Sequence, residues 1–165
     1  MGEIRVRFLS GFMIAGFSLP LGAAEPRSGL DFFLGRWTIQ GIEASYSETC
    51  EWLPGGGFLA CRAEDRSEGE PSYALSIFGY SELDGHYTYH GFGGSGGVRT
   101  LQGFVQDGVW RFQGQSGRAP AWRRWQVTIT PSERGFHFRE EVSERSGPWE
   151  VAAAFEYLRL GPMEP

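Results

Sequence analysis

Leu30-Asp31-Phe32-Phe33-Leu34-Gly35-Arg36-Trp37-Thr38-Ile39-Gln40-Gly41 is the stretch on which the fold turns. An apolar helical turn ends at Gly35. Two residues later Trp37 begins a run that alternates with Ile39, so a short helix is expected to lead directly into the first strand of a sheet. A large indole at that entrance can plug one end of a barrel.

From Arg36 onward, short β-like runs alternate with turn residues, and no helical stretch of useful length occurs. Strands are expected near 37–45, 46–53, 58–65, 73–80, 86–92, 98–105, 109–113, 122–130, 136–142 and 149–160. Glycine, proline, aspartate and serine punctuate them, as at 54–57, 84–85, 93–97, 107–108 and 146–148. About eight to ten strands at such regular spacing predict an all-β, antiparallel, up-and-down meander. Closing it into a barrel removes exposed edges. The whole of 25–165 reads as one domain, without linker or internal repeat.

Alternation sorts the faces. Trp125, Val127 and Ile129 share a face, as do Phe136, Phe138 and Val142. So do Trp110 and Phe112, and, on the last strand, Trp149, Val151, Ala153, Phe155 and Tyr157. In a barrel this aromatic and aliphatic face points inward. The expected lining of an interior ligand site is therefore Trp37, Trp110, Phe112, Trp125, Phe136, Phe138 and Trp149. The glycine-rich stretch 93–97 has no helix start or lysine after it and reads as a loop at the barrel mouth.

Cys50 and Cys61 flank a strand, a glycine turn and a second strand. A turn centred between Gly55 and Gly56 sets the two cysteines directly opposite each other. Opposed residues of an antiparallel pair have Cα atoms about 4.5 to 5.5 Å apart, a span that a disulfide bridges. Their spacing is not the Cys-x-x-Cys of a redox pair.

The first residues carry Arg5 and Arg7, an apolar run through residues 8–21 broken by glycine and Pro20, and the small exit Gly22-Ala23-Ala24 before Glu25. That is the pattern of a secretory leader, too short and interrupted to span a membrane. Export to the periplasm or beyond is the expectation, in an environment where a disulfide persists. The leader holds Glu3, Arg5 and Arg7, a net of +1, so its removal takes the chain from −5 to −6. An acidic chain without a basic run argues against nucleic acid or an anionic membrane as partner. The 15 basic residues are all arginine, so Schiff-base and lysine general-base chemistries are excluded. There is no asparagine, hence no N-glycosylation acceptor.

The Gly35-x-Trp37 pattern, after a short helical lead and before a chain of antiparallel strands, resembles the opening of lipocalin-like proteins of the calycin superfamily. More closely, the chain after Arg27 resembles an uncharacterised bacterial family of secreted, lipocalin-like barrels. The resemblance implies a barrel with room for a small apolar ligand. It also implies that a basic side chain on the last strand packs over the motif tryptophan, and Arg159 occupies the matching position. True lipocalins have eight strands and further motifs that this chain lacks, so no specific ligand class follows. Some distant barrels of the superfamily hold haem through one histidine, but His137 reads as a surface residue beside Arg139 and Glu141.

No cofactor and no metal centre are expected. His86 and His90 are four apart, which on a strand separates them by roughly 13 Å, too far to share an ion. Carboxylates on apolar faces are Glu140, with Phe136, Phe138 and Val142, and Glu43, which shares a parity with Trp37 and Ile39. Burial would favour their neutral forms unless an arginine met them. Arg123 and Arg159 also fall on apolar faces, which points to an internal Glu–Arg pair before catalysis. No Ser-His-Asp or Cys-His arrangement can be assembled.

The leading reading is an exported barrel that binds a small apolar ligand inside. Its rivals are a solid barrel acting by its outer surface, since thirteen Phe and six Trp can fill a small barrel, and a cofactor-free isomerase or cyclase using an interior carboxylate. The leader makes its own prediction: intact-mass measurement on exported protein should find Glu25 at the N-terminus, and retention of residues 1–24 would refute it.

Overall fold

A computed structural model of the protein describes residues 29–117 and 122–161. The leader expected at 1–24 lies outside them. Leu30–Phe33 forms a single 3-10 turn, and Gly35 opens the first strand with φ at +113°, a conformation that side-chain-bearing residues rarely adopt. Ten strands follow: β1 Gly35–Ile39, β2 Tyr46–Trp52, β3 Phe58–Asp65, β4 Ser72–Ser81, β5 His86–Gly93, β6 Val98–Gln106, β7 Val109–Ser116, β8 Arg123–Pro131, β9 Gly135–Glu144 and β10 Glu150–Arg159. Each pairs antiparallel with its chain neighbours, and β10 returns to β1 to close a barrel. The expected all-β, up-and-down architecture is therefore the observed one, at the upper end of the expected strand number.

The first strand is shorter than alternation suggested. It stops at Ile39 because Gly41 takes φ of +91°, and residues 40–45 fold into a turn closed by Ser45 N–H on the Ile42 carbonyl, 2.9 Å. Glu43 rides on that turn and is exposed, so it is not the interior carboxylate its parity implied.

The β2–β3 hairpin has the expected register. Cys50 stands directly opposite Cys61, and the two form a disulfide with Cα atoms 4.0 Å apart. Both sulfurs point into the barrel, where the residues are buried.

The end of the barrel that holds the 3-10 turn is closed by one knot of contacts. The Trp37 indole N–H donates to the Phe33 carbonyl at 2.7 Å. The Arg159 guanidinium stacks on the other side of the tryptophan, 4.2 Å from the ring centroid. It also donates to the Phe32 and Leu34 carbonyls at 2.8 and 2.6 Å. The turn is too short to bond those carbonyls internally, so the arginine satisfies them while the cation rests on an aromatic face. Below the plug, Phe33 packs on Trp110 and Phe78, with ring centroids 5.0 Å apart in both cases. Gly103 makes room for Phe112, because a Cβ there would sit 2.6 Å from that ring. This half of the barrel is a packed aromatic core.

One strand breaks the simple alternation. Between Val151 and Ala153 the register of β10 on β9 shifts: Val151 faces Glu141, and Ala153 faces the adjacent Glu140. An inserted residue reverses parity on its far side. Ala153, Phe155, Tyr157 and Arg159 therefore point inward, while Val151 is turned out and 51% exposed. Trp149, just before the strand, is also exposed and lies beside Arg124, 5.0 Å from ring centroid to guanidinium carbon.

The disulfide generates a stability prediction. Titration of unfolded, unreduced protein should find no free thiol. Reduction should cost about 2 to 3 kcal/mol in denaturant unfolding, the entropy of freeing a short loop in the unfolded chain. Two titrating thiols would refute the bridge.

Candidate functional site

Above the packed half, toward the mouth formed by the 40–45, 94–97 and 145–149 connections, the barrel is hollow. A cavity of about 290 Å³ lies there. Its walls come from β1, β2, β3, β4, β5, β6, β8, β9 and β10 and from the 3-10 turn, and nearly half of its lining residues are aromatic. A vestibule of about 370 Å³ adjoins it on the mouth side, with Ser95 and Gly97 from the glycine-rich loop and Trp125 in its wall. Arg99, Glu140, Tyr89, Ser76 and Ala74 line both compartments and so mark the junction between them.

The seven residues expected to line an interior site divide into four groups. Trp37, Phe136 and Phe138 do line the cavity. Trp110 and Phe112 point inward but lie in the packed half and are not among the residues that line the cavity. Trp125 belongs to the vestibule, where its indole donates to Ser116 Oγ at 2.9 Å and the Arg99 guanidinium lies 4.2 Å above its ring. Trp149 is outside altogether, displaced by the β10 bulge.

Glu140 is on the inward face, as its parity implied, and it is paired with an arginine. The partner is Arg99 of β6, not Arg123 or Arg159. Arg123 instead pairs with Glu144 at the rim, 2.8 Å, and Arg159 serves the plug. The Glu140 carboxylate is 12% exposed and the Arg99 side chain 37%, so the pair is buried on one side and open to the vestibule on the other. Removing either partner would leave a charge in low dielectric.

A second carboxyl, Glu48 of β2, escaped the sequence reading. Its Oε2 accepts a hydrogen bond from the Tyr46 hydroxyl at 2.8 Å. Tyr46 and Tyr157 hydroxyls are 3.1 Å apart. With the Tyr46 proton committed to the carboxylate, Tyr157 must be the donor, which gives a chain from Tyr157 to Tyr46 to Glu48. Oε1 lies 3.9 Å from the Cys50 sulfur, which in a disulfide has no proton to give. No ion pair among the described residues includes Glu48. Desolvation pushes the Glu48 carboxyl above the usual carboxylate range, against the opposing pull of the tyrosine hydrogen bonds. Burial raises Tyr46, Tyr89 and Tyr157 as well, so their hydroxyls stay protonated donors at neutral pH.

The sequence did carry a signal for these groups. Cys50, once facing inward, brings Tyr46 and Glu48 to the same face by alternation, and Leu101 does the same for Arg99. Glu48, Cys50 and Cys61 also place ligating atoms within 4.8 Å of one another, but the two sulfurs are bonded to each other and are not available as thiolates. The histidines sit apart from the cavity: His137 is exposed opposite Glu156, and His90 Nδ1 meets Thr100 Oγ1 at 3.2 Å.

The chain matches no protein-family model and no curated protein.

Glu48 makes a pH prediction. A carboxyl whose folded pKa is raised keeps its proton longer folded than unfolded, so the folded state loses stability as pH rises from the unfolded value upward. Glu48→Gln should therefore melt higher than the natural protein at pH 7, and the two melting temperatures should converge toward pH 4. A gap that instead widened at low pH would contradict this account of Glu48.

Proposed function

We propose that this protein is an exported, lipocalin-like carrier or receptor that binds a small, predominantly apolar molecule inside its barrel. One observation supports the reading above the others: the barrel is packed solid at the plugged end and hollow toward the mouth. The chain after the leader holds ten phenylalanines and six tryptophans, yet the aromatic rings leave a space of about 290 Å³. Inward small residues, Ala63, Ala74, Ser76 and Ala153, stand where larger ones would close it. A mostly apolar chamber with a few convergent polar groups is the usual form of a small-molecule site. The disulfide fits an oxidising compartment, and no helix among the described residues is long and apolar enough to cross a membrane.

An apolar molecule entering this space leaves water and gains roughly 25 cal/mol per Å² of apolar surface buried, so hiding about 300 Å² is enough for affinities on the order of micromolar. Trp37 lies in the wall and Trp125 in the entrance, so intrinsic emission reports occupancy. Small aromatic or short-chain apolar probes should quench it saturably. Ala153→Trp, which fills the chamber from β10, should abolish saturable quenching while the circular dichroism of the barrel is unchanged. A broad probe set that fails to bind the folded natural protein would refute the ligand-binding reading.

A further inference from the structure

The polar groups that line the cavity are unequal in charge. Glu140 and Glu48 are both carboxyls, and among the described residues Arg99 is the one cation in the lining. Arg99 is already committed to Glu140. When both carboxyls are ionised, the chamber holds one negative charge that no cation among the described residues meets, and that charge is on Glu48. The groups that face it are the Tyr46 and Tyr157 hydroxyls from β2 and β10, Tyr89 from β5, and the Arg99–Glu140 pair from β6 and β9. All of the tyrosines are neutral, and none can supply a positive charge. Nearly half of the remaining lining residues are aromatic, among them Phe136, Phe138 and Phe155, whose ring faces attract a cation as well as an apolar surface.

Resting on the ligand-binding reading above, we propose that the cavity selects a small hydrophobic amine, with the ammonium seated on Glu48 and the apolar body among the aromatic rings. A carboxylate desolvated without a cation is costly, and a bound ammonium removes that cost by supplying the missing charge and a hydrogen-bond donor for Oε1. A fatty-acid-like anion meets the opposite situation. Its carboxylate would have to displace Glu140 from Arg99 and would add a second uncompensated negative charge beside Glu48. A neutral ligand gains the apolar burial but leaves Glu48 as it is. Because Glu48 must be ionised to hold the ammonium, amine binding releases a proton from that carboxyl wherever it was protonated, and affinity rises as rising pH ionises it.

The test is calorimetric titration of the full-length mature protein with three probes of one shape: 2-phenylethylamine, 2-phenylethanol and 3-phenylpropanoate. At pH 7.5 the amine should bind about tenfold or more tightly than the alcohol, and the carboxylate weakest, as expected for a desolvated ion pair supported by aromatic faces. Lowering the pH to 5 should shrink the advantage of the amine, which itself stays protonated throughout. In Glu48→Gln, which keeps the shape of the side chain and an acceptor for Tyr46, the advantage of the amine over the alcohol should vanish. Equal affinities of amine and alcohol in the natural protein would overturn this inference and leave the apolar cavity reading intact. So would an amine preference that survives in Glu48→Gln, or a carboxylate that binds tightest. If none of the three binds, both the inference and the reading it rests on fail.

Discussion

The contact on which the rest of the barrel depends is the stack of the Arg159 guanidinium on the Trp37 indole. It joins the first strand to the last, which is the seam that turns an open meander into a closed barrel. The same guanidinium bonds the carbonyls of Phe32 and Leu34, so the 3-10 turn is held across the end of the barrel by the residue that closes its side. Gly35 permits this arrangement: its φ of +113° lets the chain turn from the plug into β1, and a Cβ there would meet the Arg159 guanidinium at 3.2 Å. A cation in that position gives up little hydration, because one face is aromatic and its N–H groups find carbonyls that the short turn leaves unpaired.

Plugging one end decides where space can remain. Leu30, Phe33, Trp110 and Phe112 fill the plugged half, so any cavity must lie toward the mouth. There the wall is built of rings and small residues together, and rings do not tile a curved wall without gaps. The polar groups follow from the same geometry. Strand alternation forces one residue in two to point inward, and at Glu48, Glu140 and Arg99 that residue is charged. Two of the three neutralise one another. The third is left with a tyrosine relay, and its position in an otherwise apolar chamber gives the site its chemical character.

Much of this was legible in the chain alone. Ten strands, their order and the opposition of Cys50 to Cys61 are local consequences of alternation and turn chemistry, and the β2–β3 register follows from one glycine turn. The inward position of Glu140, its pairing with some arginine and the role of Arg159 were likewise readable, because parity and the Gly35-x-Trp37 pattern are properties of the sequence. The parity assignments that failed did so where a single residue altered the count. The bulge between Val151 and Ala153 reversed the parity of everything before it and carried Trp149 outside, and a positive φ at Gly41 removed Glu43 from its strand.

The sequence by itself therefore determined the elements, their antiparallel order and the apolar character of one face, since each depends on neighbours a few residues apart. Only the tertiary structure decided which inward residues share a space. Trp110 and Trp37 are both inward tryptophans, yet one is entombed and the other lines the cavity, because depth along the barrel axis is set by strand tilt and stagger around the whole closed sheet. The partnership of Arg99 with Glu140, and the absence of any such partner for Glu48 among the described residues, has the same origin. Residues 41 apart on β6 and β9 meet across the interior only once all ten strands have closed. Pairing across a barrel is a property of its closure, and no local pattern in the chain encodes it.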